Sequence, residues 1–182
     1  MKIIGTFAVV EDSLYSVQYE SEELHEFAKC FELWNNPVYL REFFEKNIED
    51  LKHSFWNGIT IEDAIKKTRE DAIALEDELM YIAEKGKTEK YETLSTLFEP
   101  LSKGNIGEYE RDKARGFVRP SWLRIYAIRI DANFFVISGG AIKLTKTMNT
   151  SEHLLLELKK LESTRNKLID EDSDDLIYSE LN

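Results

Sequence analysis

Residues 122–146, WLRIYAIRI-DAN-FFVISGGAIKLTK, form the most apolar and most β-branched stretch of the chain. Two extended runs flank Asp131-Ala132-Asn133, so the spacing predicts a hairpin with Asn133 in the left-handed conformation that such a turn favours. In the first run Leu123, Ile125 and Ala127 alternate with Arg124, Tyr126 and Ile128, which puts apolar residues in both phases. A strand patterned this way is covered on both faces and lies inside a sheet. The rest of the fold must then supply flanking strands and packing layers. Gly139-Gly140 marks a break or bulge in the return strand. Strand periodicity also separates the arginines. Arg124 shares a face with Tyr126 and Ile128, and Arg129 points the other way.

Upstream, Lys2–Val10 and Ser13–Tyr19 read as a second hairpin, with Glu11-Asp12 as its turn. Helical spacing follows. Ser21 is positioned as an N-cap before Leu24, Phe27, Ala28 and Phe31. Asn36-Pro37 stops that helix and starts another that carries Val38, Leu40, Phe43, Phe44, Ile48 and Leu51. This second helix is expected to run to Phe55-Trp56-Asn57-Gly58. Thr60, with Asp63 three residues on, opens a long helix that ends at Lys85-Gly86. Lys90–Phe98 reads as a short helix before Pro100, and 108–119 as either an edge strand or an ordered loop. A last helix follows Ser151, with Leu154, Leu155, Leu158, Leu161 and Leu168 on its buried side. From Asp170 the acidic terminus is expected to be weakly ordered.

The expected fold class is therefore α+β. An antiparallel sheet is centred on residues 122–144, with helices from 21–98 and a C-terminal helix packed against it. Residues 1–169 form one domain, and 170–182 form a tail. At 182 residues the chain can bury a core without staples. The single cysteine, Cys30, excludes an internal disulfide and reads as a small buried hydrophobe. No run reaches the ~20 apolar residues of a membrane span, and the N-terminus lacks the pattern of a signal peptide, so a cytoplasmic location is expected.

The net charge of −11 is unevenly spread. Residues 1–102 hold 11 basic against 22 acidic side chains, residues 103–146 hold 9 against 4, and residues 147–182 hold 4 against 9. The hairpin thus sits in the one segment with a basic surplus, which can meet phosphate or the chain's own carboxylates. Glu76-Asp77-Glu78 lacks the glycine and spacing of a calcium loop, and no nucleotide, zinc or triad motif occurs, so no metal or cofactor is expected.

Pro100-Leu101, the run with Arg124 and Tyr126, the return strand with Gly139, Gly140 and Lys143, and the closing helix resemble the RelE/HigB-like family of toxin-type proteins. The resemblance covers about residues 90–168. It implies a small antiparallel sheet with helices on one side, binding to RNA or the ribosome, mRNA cleavage, and an antitoxin-like protein partner. Compact members of that family are basic and shorter. The acidic helices of 21–98 are therefore an addition, either a fused cover or a different design.

Metal-free RNA cleavage needs a base for the 2′-OH, cations for the phosphorane and an acid for the leaving 5′-oxygen. The resemblance together with these needs assigns Arg124, Lys143 and His153 as catalytic residues. It assigns Lys113, Arg115, Arg119 and Tyr126 to RNA phosphate, with residues 111–146 as the contact region and neither DNA nor membrane as a partner. Tyr126 could stack a base or position a phosphate. Of the three histidines, His153 alone lies near the basic segment, and His25 and His53 read as helix-surface residues. Trp34, Trp56 and Trp122 read as core. A non-catalytic interaction module on the same scaffold is the alternative.

Overall fold

A computed structural model describes residues 1–53, 58–101, 110–115, 120–145 and 151–180. The chain runs β1 (Ile3–Val10), β2 (Leu14–Tyr19), α1 (Glu26–Asn35), α2 (Pro37–Lys46), α3 (Ile48–His53) and α4 (Ile61–Lys85). A short 3₁₀ turn (Leu94–Thr96) leads to β3 (Phe98–Pro100), β4 (Glu110–Arg115), β5 (Leu123–Asp131), β6 (Phe134–Ile142) and α5 (Glu152–Glu180). The fold is α+β, and the six strands form one sheet in the order β1-β2-β6-β5-β4-β3.

The hairpin of β5 and β6 occupies the centre of that sheet, as its two-phase apolar pattern requires. On one face Leu123, Ile125, Ala127, Phe135 and Ile137 pack with residues of α1–α4 such as Phe31, Trp34, Phe44, Leu75 and Leu79. On the other face Tyr126, Ile128 and Ala141 pack under Leu154 and Leu161 of α5. Helices therefore cover both faces, unlike the one-sided packing that the family resemblance implies.

Neighbouring strands are antiparallel except for β2 and β6, which run parallel over three residue pairs, Leu14–Phe135 to Ser16–Ile137. Past Ser16 these two strands part, and the start of α1 fills the gap. The Phe27 amide donates to Ser16 Oγ (2.9 Å), and the Tyr19 hydroxyl spans to Ser138 O (3.2 Å), Lys160 O (3.3 Å) and Thr164 Oγ1 (3.2 Å).

Several local expectations are corrected. Ser21 does not cap α1; His25 does, its Nδ1 accepting from the Ala28 amide. The second helix breaks at Asn47 into α2 and α3; of its expected end at 55–58, residues 55–57 lie outside the described residues, Trp56 among them, and Gly58 has a positive φ (90°). Residues 90–98 form no α-helix, because Phe98–Pro100 pairs with Asp112–Ala114 as an edge strand. That pairing settles 110–115 as a strand. Asn133 is not left-handed, since Asp12 (φ 58°) is the one non-glycine residue with positive φ among those described. The bulge falls at Ser138, and β6 runs straight through both glycines. α5 extends past Asp170 to Glu180. No helix among the described residues is long and apolar enough to cross a membrane.

Candidate functional site

Strand pairing gathers the basic residues. Lys113 lies opposite Tyr126, and Arg115 lies opposite Arg124, which lies opposite Ala141. Directly paired residues of antiparallel strands share a face, so Lys113, Arg124 and Lys143 (two residues past Ala141) stand on the α5 side. They are close enough to act on one another. Burial, and then the charges of Arg124 and Lys113, hold the Lys143 ammonium below the ordinary lysine value. Lys143 Nζ donates to Thr145 O (2.7 Å). Arg124 Nη1 donates to Ser121 O (2.7 Å) and Leu123 O (2.6 Å). Arg129 is on the opposite face, where its Nε meets Asp112 Oδ2 (3.0 Å) and its guanidinium lies over the Phe135 ring.

Of the other three expected RNA contacts, one is buried beneath this face and two lie out of view. Tyr126 is fully buried beneath α5, and burial pushes its phenol up from the ordinary value. It cannot stack a base or hold a phosphate; it belongs to the core. Arg119 lies outside the described residues, as does the side chain of Arg115.

His153 stands elsewhere. Its Nε2 is 3.0 Å from Ile142 O, and its ring meets Phe43 edge-on. It lines a cavity of about 850 Å³ between α1, α2, α5 and the end of β6. Trp34, Tyr39, Phe43 and residues Gly140, Ala141 and Ile142 of β6 also border that space, and Arg124 and Lys143 do not. The three residues assigned to catalysis are thus divided between the basic face and the cavity.

At the inner end of the cavity is a buried charge cluster that sequence reading missed. Lys160 Nζ donates to Glu26 Oε2 and to Glu157 Oε1, both at 2.8 Å, and lies over the Tyr19 ring. Lys29 adds a longer contact to Glu26 (3.4 Å). Two carboxylates share one buried ammonium. Burial works against the Lys160 charge, but Glu157 and Glu26 outweigh it and push its pKa up. Burial pushes the Glu157 carboxyl up to about 7, against the pull of Lys160. Glu157 Oε2 has no hydrogen-bond partner among the described residues. Gly139 makes this possible: a Cβ there would overlap Glu157 Oε2.

One signal of the cluster lies in the sequence. Glu157 interrupts the stripe Leu154, Leu161, Thr164 that α5 turns inward, and a charge in a buried stripe calls for a partner. Cys30 is buried beside the cluster, and burial pushes its thiol well up. Among the described residues no three His, Cys, Asp or Glu side chains are grouped to hold a metal ion. No family model matches the chain, and neither does any curated protein or solved structure.

Proposed function

We propose that the chain is a RelE/HigB-like toxin-type protein that binds RNA phosphate on the β4–β5–β6 face and cleaves mRNA there. The observation that carries this reading is the placement of Lys113, Arg124 and Lys143 on one face, where burial and then the two neighbouring charges hold the Lys143 ammonium below its ordinary value. An anion between them relieves that repulsion, and guanidinium suits two phosphate oxygens at once. In the step itself the ribose 2′-oxygen loses its proton to a base and bonds to phosphorus. Arg124 steadies the phosphorane. The P–O5′ bond then breaks, and the Lys143 ammonium gives its proton to the departing oxygen. The products are a 2′,3′-cyclic phosphate and a 5′-hydroxyl.

The purified chain is expected to cut single-stranded RNA, and induced expression is expected to arrest growth. Arg124→Ala and Lys143→Ala are each expected to slow cleavage by roughly 10²-fold, the scale of losing one charge-stabilising group. His153→Ala, measured alongside, reports whether a residue on the cavity side contributes. A chain that neither binds nor cuts RNA and leaves growth unaffected overturns the reading.

Arg124 also favours the second reading, an interaction module on this scaffold, because two of its hydrogen bonds tie down backbone carbonyls. In that case an antitoxin-like or other protein partner binds the exposed side of α4. Charge reversal at Glu62, Lys66 and Arg69 would then disturb the complex, and Arg124→Ala would not.

A further inference from the structure

The two edges of the sheet are built differently. β3 is three residues long and ends in Pro100, which offers no N–H to a neighbour. Short length and proline are the usual protection of an edge. β1 has neither. It runs eight residues, Ile3–Val10, without a charge or a proline, and among the described residues it pairs on one side only. Thr6 and Ala8 are exposed, and so are the large apolar side chains of Ile4 (52%) and Phe7 (44%). Its pairing with β2 is regular from Gly5 to Ala8, and Ile4 and Val9 have no partner across the ladder.

Among the described residues the charges next to β1 lie at its ends. Lys2 precedes the strand, largely exposed and paired with Glu20 of its own chain (2.9 Å); Glu11 and Asp12 follow it. A second copy laid antiparallel about Thr6 or about Phe7 sets Lys2 of each copy against the acidic turn of the other, with uncharged residues throughout between. A parallel copy would set lysine against lysine.

We propose that the open edge of β1 is a self-association surface, on which two copies pair antiparallel through β1 and join their sheets. The arrangement is isologous, so it closes at two copies. It also satisfies the outward backbone groups of β1 from strand to strand.

Sedimentation of the full chain up to about 200 µM, with hydrogen exchange at low and high concentration, tests this. The expected result is a concentration-dependent dimer in which β1 amides become protected as copies associate. Thr6→Lys places a charge on an exposed edge position and is expected to weaken association by roughly tenfold or more. Lys2→Gln, which removes the cation without setting a second carboxylate beside Glu20, is expected to weaken it as well, and it serves should Thr6→Lys fail to fold. A monomer at the highest concentration overturns the proposal. So does a dimer indifferent to both substitutions, or one whose β1 amides exchange at a rate independent of concentration.

Discussion

Glu157 shows how one residue can tie stability to pH. Its carboxyl is pushed up to about 7 from an ordinary 4.5 because burial outweighs the pull of the Lys160 ammonium that it shares with Glu26. The folded chain therefore holds a proton there that the unfolded chain has released, over the window from about 4.5 to about 7. Unfolding free energy from this group falls as pH rises through that window, and the loss is complete above about 7. The difference between wild type and Glu157→Gln, followed by urea denaturation, is expected to change by about 3 kcal/mol across it. Gln can still accept from Lys160, so the variant removes the charge while keeping the contact. Asn133 is the second residue with wide consequences. Its Nδ2 donates to Ser13 Oγ (2.9 Å) and Ala83 O (3.0 Å), and its Oδ1 accepts from the Leu94 amide (2.9 Å). One side chain thus ties the central turn to the N-terminal turn, the end of α4 and the 3₁₀ segment. Asn133→Ala leaves buried backbone groups unmet and is expected to cost roughly 2 kcal/mol by thermal or urea unfolding.

At the level of elements, α5 is held by two different devices. Leu154 and Leu161 dock on Tyr126 and Ala141, and the Glu26–Lys160–Glu157 cluster ties the helix to α1. Gly139 admits that cluster, so Gly139→Ala must push Glu157 or α5 away from β6. The expected result is a loss of roughly 2–3 kcal/mol, the scale of overpacking a filled site, largely recovered in Gly139→Ala/Glu157→Ala if the clash is with that carboxylate. Much of this level could be read from the sequence. The N-terminal hairpin, α4 with its Thr60 cap, the central hairpin and the opposite faces of Arg124 and Arg129 all follow from period and caps. Residues 90–100 did not, because the pairing of Phe98–Pro100 with β4 is a tertiary choice that local spacing cannot express. The start of α1 was misplaced because a histidine serves as its cap. Glu157 in the buried stripe signals the need for a partner, but which partner is again a tertiary choice: Glu26 and Lys160 are 134 residues apart.

Taken whole, the described residues form a mixed sheet with α1–α4 on one face and α5 on the other. The sequence implied a central hairpin with layers around it, but the face taken by α5 depends on which side α1–α4 leave open. The parallel seam has a consequence in time. Ser13 bonds to Asn133, 120 residues later, and β2 gains its inner neighbour only when β6 exists. On the ribosome the N-terminal hairpin is made first and seated last. Through most of synthesis it carries two bare strand edges, one of which the finished fold covers. Non-local pairing of this kind slows folding, so refolding of the full chain is expected in the millisecond-to-second range rather than in microseconds. Chains stopped before residue 134 carry an apolar hairpin with no sheet to join. In cell-free translation they are expected to pellet, or to be retained by chaperones, where the full-length product stays in solution. A premature stop late in the message would thus yield a sticky fragment, not a smaller version of the domain.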